Sequence, residues 1–369
     1  MNSTAERNNK IREILDSLFN RAIDDTVHID ESPFSSSMDE LFSTSAWGFR
    51  EILLVVIVGM KLNKTFRAST GLYDCNPRAI YEGPIKEFLI EKNIPHRKSG
   101  PLNIAKAVIG LDLTWAAKRR PAKVAEEVVN LVNYLEGAST DSDNERIDTV
   151  GISLIRRLMA HTRNLQNLSV NIEFSADPDF LYYLCHELIT KAPDAGNTPQ
   201  RIAAYLLKNH HYAMNTGIKV TGENDRASVT STTSKKPGDI NEESTDGVIY
   251  KVYEVTVKHF DLARIRDSFD CVSIYNGENN AEIHEIIVIC RKEDCPMDMH
   301  PSGMHGYLGY YEYQDVIYRY WDIFEWIANI LQMMVPEGRI GFYQELNSYI
   351  DDINTASSVK TVWRELHVS

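Results

Sequence analysis

The sequence contains no apolar run long enough to cross a membrane. The longest such run, Ile52 to Met60, is far shorter than the roughly 20 residues that a spanning helix requires. The polar start Met-Asn-Ser-Thr-Ala-Glu-Arg lacks a secretory pattern. Cysteine is scarce as well: five cysteines, an odd number, are scattered from Cys75 to Cys295, which is unlike a disulfide framework. We therefore expect a cytoplasmic protein in a reducing compartment.

Basic residues are outnumbered overall but concentrated in one part of the chain. The 52 Asp and Glu against 39 Lys and Arg give a formal charge of -13, which argues against indiscriminate binding to polyanions. Between Lys61 and Lys123, however, thirteen Lys or Arg stand against five Asp or Glu. Such an excess is typical either of an ordinary solvated surface or of a region that contacts nucleic acid.

The length of the chain predicts more than one domain, because 369 residues exceed the usual size of a single core. An amphipathic helix followed by a polar linker is predicted over residues 1–37, and a helical domain over 38–140. The run 137–144 is small, polar and acidic, which is typical of a domain boundary. We expect a second domain over 145–369 that ends in a helical extension.

Beyond residue 145 the pattern mixes helices with strands. Asp177-Pro178 and Thr198-Pro199 each predict a helix start, since a capping residue is followed by proline. A helix is also predicted from Leu262 to Phe269, and apolar spacing from Val316 to Leu331 predicts a helical tail. Segments rich in Val, Ile, Thr and Tyr predict strands at Ile218 to Thr221, Ala227 to Thr233, Val248 to Lys258 and Glu285 to Arg291. The predicted class is α/β in the α+β arrangement, with helices first and a mixed sheet second.

Two acids and a lysine are predicted to meet at one hairpin. Side chains alternate between the two faces of a strand, so Glu254, Thr256 and Lys258 would share a face. Asp239 precedes a turn containing Asn241 and Asp246-Gly247, and a hairpin there would return its carboxylate to the side of Glu254 and Lys258. Two carboxylates and an ammonium are what metal-dependent phosphodiester cleavage requires. The plainer alternative is a turn acid and a solvated lysine at a strand end.

This constellation resembles the PD-(D/E)xK nuclease superfamily over residues 175–292. The likeness is greatest to type II restriction endonucleases, and the SacI-like group is one candidate among them. Asp239 in Pro237-Gly238-Asp239 matches the motif aspartate, and Lys258 matches the motif lysine. The second acid departs from the pattern, because Thr256 stands two residues before the lysine and the nearest acid on that face is Glu254. The resemblance implies a mixed-sheet nuclease core with catalysis by Asp239, Glu254 and Lys258.

A cofactor is also implied by the resemblance. Mg²⁺ takes oxygen ligands, so Asp239 and Glu254 would hold it together with water and a phosphate oxygen. The alternative ligand is Glu187, in the helix before the sheet, where related nucleases often carry an acid. Lys258 would stabilise the charge that develops in the transition state. The products would carry 5'-phosphate and 3'-hydroxyl ends.

Candidate DNA contacts occur in both parts of the chain. Lys235 and Lys236 directly precede the segment of Asp239 and could hold the phosphates that flank the cut. In the N-terminal domain, a basic pair precedes a predicted helix start, where backbone N–H groups and the helix dipole attract anions. The candidates in that domain are Arg67, Arg78, Arg97, Lys98, Ser99, Asn103, Lys106, Arg119 and Arg120. A charged helix cap without a ligand is the alternative interpretation.

These features together predict a site-specific, Mg²⁺-dependent endonuclease for double-stranded DNA. A homodimer is expected, because two strands must be cut and a two-fold protein suits a palindromic target. A companion DNA methyltransferase would be a natural partner of such a restriction enzyme. One alternative is a noncatalytic DNA-binding regulator on a nuclease-like scaffold, which the threonine at position 256 permits. The other is a nuclease for modified DNA.

Overall fold

Helices fill the first part of the chain, and a sheet flanked by helices forms the second part. In the computed structural model, which describes residues 4–97, 100–137, 143–223 and 236–368, the chain divides into two units, Met1–Asn167 and Leu168–Ser369. The first is helical, and the second contains a seven-stranded mixed sheet. The α+β class predicted from the sequence is confirmed.

The N-terminal unit is built around α3, which is buried on nearly every side. Residues Ile52 to Val58 of this helix are all within the core, which explains the longest apolar run of the sequence. No helix in the described residues is both long and apolar enough to span a bilayer. The helices are α1 (Thr4–Ile23), α2 (Ser35–Phe42), α3 (Gly48–Leu62), α4 (Ala68–Gly71), α5 (Pro77–Ile80), α6 (Lys86–Glu91), α7 (Gly100–Ala105), α8 (Leu113–Ala117), α9 (Ala122–Glu136) and α10 (Asp143–Gln166).

The expected domain boundaries do not coincide with the division into units. Helix α1 packs on α10 and α3, and its Ile11 and Leu15 belong to the same core as α3, so residues 1–37 are not separate. Helix α10 begins at Asp143, within the acidic run 137–144, and places Val150 and Leu154 in that core too. The boundary instead falls after Asn167. A polar connection in the sequence can join two helices of one core as readily as it can join two domains.

In its described residues, the C-terminal unit begins with two α-helices and ends with three. Between them, the same residues form seven strands and one crossing helix, which make up the sheet layer. The elements are α11 (Pro178–Lys191), α12 (Asn197–Ala213), β1 (Lys219–Thr221), β2 (Ile240–Glu243), β3 (Ile249–Val255), α13 (Leu262–Asn279), β4 (Glu285–Cys290), β5 (His300–Pro301), β6 (Tyr307–Tyr313), β7 (Val316–Asp322), α14 (Ile323–Met333), α15 (Pro336–Asp351) and α16 (Ser357–Val368).

The strand order of the sheet is β1-β2-β3-β4-β7-β6-β5. β1, β2 and β3 are antiparallel neighbours, whereas β3–β4 and β4–β7 are parallel, so α13 is the crossover that parallel strands require. Tyr253 and Val255 of β3 share a core with the helices on one face, and Val252 shares a core with Ile265 and Val272 of α13 on the other. Any polar side chain near the end of β3 must therefore find partners inside the protein.

Two expectations about strands were wrong. Residues 240–243, expected in a turn, form β2; the strand expected at 227–233 lies outside the described residues. Residues Val316 to Asp322 form β7 rather than a helix, because the period is two: Val316, Tyr318 and Tyr320 are buried and their neighbours are less so.

Candidate active site

Asp239 and Glu254 lie side by side at the adjoining ends of β2 and β3. Ile240 pairs with Tyr253 in the antiparallel ladder, so the preceding Asp239 stands opposite Glu254. Asp239 Oδ2 accepts a hydrogen bond from the Val255 N–H at 3.0 Å, and its carboxyl group lies close enough to that of Glu254 to raise the pKa of Glu254. The structure thus brings together the two acids that the hairpin pattern singled out.

Glu254 is buried on the face of β3 that α13 covers. Its side chain is 6% exposed, and the Ser268 hydroxyl of α13 donates to its Oε1 at 3.2 Å. Burial raises the pKa of Glu254 well above its ordinary value, and the charge of Asp239 raises it further. The positive charge of Arg264 and the bond from Ser268 act in the opposite direction. Two carboxyl groups in such contact share either a proton or a cation.

The oxygen atoms at this acid pair suit Mg²⁺. Asn241, two residues after Asp239 on the same face of β2, is 1% exposed, and its Oδ1 has no hydrogen-bond partner among the described residues. Mg²⁺ is commonly held by one or two carboxylates and keeps several waters. Within the described ranges, no three or more His, Cys, Asp or Glu side chains are grouped so as to hold a metal ion. The residues therefore fit a two-carboxylate site that water and substrate would complete.

Glu187, the alternative metal ligand, is not brought to the acid pair. It lies on α11, which packs on α14, α16 and α12 on the far face of the sheet from α13. Its carboxylate forms ion pairs with Lys191 at 2.6 Å and His186 at 3.3 Å, and these hydrogen bonds lower its pKa. The helix that directly precedes the sheet is α12 instead.

Gln200, in the first turn of α12, is the residue of that helix that reaches the site, and sequence reasoning missed it. Its Nε2 lies 3.4 Å from the carbonyl oxygens of both Gly222 and Asp239. The side chain is 1% exposed, and no described residue hydrogen-bonds its Oε1. The predicted helix start at Thr198-Pro199 was the available signal, since it places position 200 at the end of α12 nearest the sheet.

Lys258 does not lie on the strand, contrary to expectation. β3 ends at Val255, and the Thr256 N–H still bonds to the Ile289 carbonyl before the chain bends. The Thr256 hydroxyl then bonds to both the N–H and the carbonyl of Lys258, at 3.0 Å each. Lys258 is exposed as a result. The alternation that would have aligned Glu254 with Lys258 stops at Thr256, because threonine hydroxyls readily form such local turns.

Arg264 is a cation near the acid pair that sequence reasoning also missed. It lies in the first turn of α13, where its N–H donates to the capping carboxylate of Asp261 at 3.0 Å. Its Nη1 donates to the Thr256 hydroxyl, and its guanidinium carbon lies 4.9 Å from the centre of the Phe260 ring. The signal in the sequence was Asp261, which caps a helix. Since the N-terminus of α13 follows closely after β3, an arginine in the first turn of that helix lies near the end of the strand.

Close packing against β3 explains why a glycine stands between Pro237 and Asp239. A Cβ added to Gly238 would lie 2.4 Å from Val252 Cγ1 and 2.9 Å from the carbonyl oxygen of Tyr253. The chain before Asp239 therefore passes too close to β3 for any side chain. This close approach holds Asp239 against Glu254.

Four of the predicted DNA contacts in the N-terminal unit are exposed basic residues. Among the described residues, Arg67 donates to the nearby carbonyls of Lys64 and Phe66 alone, and Arg120 to those of Ala117 and Arg119 alone. The other two are Arg78, paired with Glu82 at 3.4 Å, and Lys106. The Leu111 N–H donates to the Ala68 carbonyl, and the Leu72 N–H donates to the Ile109 carbonyl. These bonds join the segment of Arg67 to that of Lys106.

The remaining candidate DNA contacts differ from one another in exposure and in the partners they bond. The Arg97 N–H donates to Glu51 at 2.6 Å, and its guanidinium donates to the Ser45 carbonyl and lies 6.0 Å from the Trp47 ring, so this residue has a structural role. Asn103 is exposed on α7, whereas Arg119 is half-buried. Lys236 is half-buried three residues before Asp239. The candidates Lys98, Ser99 and Lys235 lie outside the described residues.

No model of a known protein family matches the chain, and no curated protein sequence matches it either.

Proposed function

We propose that the chain is a Mg²⁺-dependent endonuclease that cuts double-stranded DNA at specific sites, as type II restriction enzymes do. The observation that carries this proposal is the contact between Asp239 and Glu254 at the adjoining ends of β2 and β3. A buried carboxyl group in contact with a second acid costs stability, and groups of this kind are concentrated at functional sites. The pair also coincides with the acids selected by the resemblance to PD-(D/E)xK nucleases.

The order of elements around the pair supports the same proposal. Helix α12 is followed by the antiparallel strands β1, β2 and β3, then by α13, and then by β4 parallel to β3. The resemblance implies a mixed-sheet nuclease core, and this order of elements supplies a mixed sheet around the acids. Both acids belong to its central hairpin.

The chemistry assigns a role to each acid. Hydrolysis would add a water oxygen to phosphorus and break the bond to the 3' oxygen, with the water protons passing to that oxygen and to solvent. Asp239 and Glu254 would hold Mg²⁺, which when bound supplies positive charge at the phosphate and lowers the pKa of coordinated water. The Val255 N–H orients the Asp239 carboxylate, and the Ser268 hydroxyl orients that of Glu254. The products would be a 5'-phosphate and a 3'-hydroxyl.

The proposed partners follow from this reaction. Double-stranded DNA would contact the exposed basic residues of the N-terminal unit, where phosphate contacts give affinity without reading sequence. A homodimer would cut both strands of a palindromic site. A restriction activity in the cytoplasm would also require a companion methyltransferase that protects the host DNA.

A noncatalytic DNA-binding regulator is the second candidate. The observation that favours it is the position of Lys258, which is exposed beyond the end of β3 while a neutral Thr256 follows the acids. Such a protein would bind DNA without cutting it. A nuclease for modified DNA would differ from the leading proposal only in its substrate.

The deciding experiment is cleavage of plasmid and phage DNA by the purified full chain in Mg²⁺, followed by sequencing of the ends. The variant Asp239→Asn removes one charge of the pair, and Asp246→Asn, an exposed turn acid of the same hairpin, is its control. Discrete fragments from the wild type and from Asp246→Asn, but not from Asp239→Asn or with EDTA, would support the proposal. Intact DNA, or cleavage by Asp239→Asn at the wild-type rate, would overturn it. DNA binding without cleavage would identify the regulator.

A further inference from the structure

We propose that Arg264 of α13, and not Lys258, is the catalytic cation that contacts the scissile phosphate. This inference rests on the proposed nuclease function and names a residue that the motif does not contain. It begins from the juxtaposition of the Arg264 guanidinium, the Thr256 hydroxyl and the Asp239–Glu254 pair.

A strand residue two places after Glu254, at position 256, would point to the same face as the acids. A cation at this position would therefore lie beside them. The residue there is Thr256, which is neutral and 3% exposed. Its hydroxyl donates to the Lys258 carbonyl and therefore has a lone pair directed to Arg264. The Arg264 guanidinium, which belongs to α13, thus supplies a positive charge beside position 256, where the strand residue is neutral.

Arg264 is held in position but still has donors to offer. Its backbone is fixed by the Asp261 cap, and its guanidinium packs on Phe260, which is 1% exposed. Of its five N–H donors, one bonds to Thr256, and the side chain makes no other hydrogen bond to a described residue. The residue is half-buried, so a phosphate could still approach it. Lys258, by contrast, is exposed on a bend in which its backbone N–H and carbonyl bond to the Thr256 hydroxyl.

The chemistry of arginine defines the role. A planar guanidinium binds two phosphate oxygens at once and keeps its proton at any pH used in an assay. Arg264 would therefore stabilise the negative charge that grows on the nonbridging oxygens, and it would neither accept nor donate a proton in the reaction. Charge stabilisation of this kind acts on the transition state and is expected in kcat rather than in KM.

The test compares Arg264→Ala with Lys258→Ala and with Arg266→Ala, an exposed arginine two residues along α13. Loss of one such charged donor should lower kcat by about 10²–10³-fold, with KM for DNA changed by less than about threefold. Arg264→Lys should retain part of the rate, Lys258→Ala should stay well above Arg264→Ala, and Arg266→Ala should match the wild type. Adding Thr256→Lys to Arg264→Ala should restore about tenfold of the lost rate, because it returns a cation to the same place.

A measurement without metal separates this role from a structural one. Once the cut site is known, binding in EDTA to a nicked duplex with a 5'-phosphate can be compared with binding to one that ends in a 5'-hydroxyl. The wild type should prefer the phosphate, and Arg264→Ala should lose that preference while its melting temperature stays close to that of Arg266→Ala. If the wild type cuts but Arg264→Ala cuts equally well, or the preference survives, the inference is wrong and the nuclease proposal stands. If the wild type itself does not cut, both fall.

Discussion

Gly222, which follows β1, lies directly against the main chain of Asp239. A Cβ added to Gly222 would come 2.0 Å from the carbonyl oxygen of Asp239. The φ angle of Gly222 is +101°, in the region that favours glycine. Gln200 approaches the same carbonyl with its Nε2 at 3.4 Å. The backbone of Asp239 is thus confined by Gly222 and Gln200.

The first prediction concerns this contact. Gly222→Ala should push the Asp239 backbone away and separate the two acids, which costs both stability and cleavage; we expect a loss of about 1–3 kcal/mol in unfolding free energy. Urea unfolding and the cleavage rate measure the two effects. Gly277→Ala is the matched control, since a Cβ there meets nothing within 4 Å inside α13. Full activity of Gly222→Ala would show that the position of Asp239 tolerates a shift.

The second prediction separates stability from activity at Glu254. Glu254→Gln keeps the shape of the side chain but removes an acid that is buried beside Asp239. In EDTA the unfolding free energy of the variant should equal that of the wild type or exceed it by up to about 2 kcal/mol, because groups kept for function often cost stability. In Mg²⁺ it should cut no DNA. A variant that is both active and stabilised would argue that Glu254 has no part in holding the metal.

The pairing of the acids could be predicted from the sequence because it depends on local rules. Alternation along β3 and the hairpin before it place Asp239 opposite Glu254, and neither rule requires knowledge of distant residues. The same alternation failed for Lys258, since the Thr256 hydroxyl ends the strand by bonding to the backbone of Lys258. A strand end is set by such side-chain bonds and by pairing to β4, which one sequence does not display.

Arg264 and Gln200 could not be predicted, because helix packing brings them to the acids. Both lie in the first turn of a helix, α13 or α12, and the sheet topology decides which helix end meets which strand end. The choice of Glu187 failed for the same reason. Both α11 and α12 precede the sheet, and it is α12 whose Gln200 meets the segment of Asp239. The tyrosines of β7 show a second limit of prediction from sequence. A short run whose apolar spacing fits both the helical and the strand period is compatible with either element.

The third prediction concerns the pH dependence of folding through His161 on α10. Burial first, and then the positive charge of Arg50, lower the pKa of His161 to about 4. The ring lies 5.9 Å from that of Trp47, and its Nε2 is buried without a partner among the described residues. The unfolded chain protonates this histidine near its ordinary pKa of 6.5, so the folded state should lose stability as the pH falls from 6.5 towards 4.

His161→Phe should remove that contribution while keeping an aromatic ring beside Trp47. Relative to the variant, the unfolding free energy of the wild type should fall by at most about 1.4 kcal/mol per pH unit in this window. Urea unfolding at pH 7, 5.5 and 4.5 measures the difference, and His28→Phe, at an exposed position, is the control. Parallel pH profiles for the wild type and His161→Phe would show that His161 is protonated in the folded protein.

The last prediction tests the basic surface of the N-terminal unit independently of catalysis. Lys106 and Arg120 are exposed, and within the described part of the chain Arg120 donates to two nearby carbonyls alone, so both charges are available to phosphate. Each substitution to alanine should weaken binding to duplexes of any sequence and reduce the slope of log Kd against log salt by about 0.9. Anisotropy titrations in EDTA over a range of salt concentrations measure this, with Lys10→Ala on α1 as the control. An unchanged slope for both variants would mean that these residues face solvent when DNA is bound, and that another surface supplies the phosphate contacts.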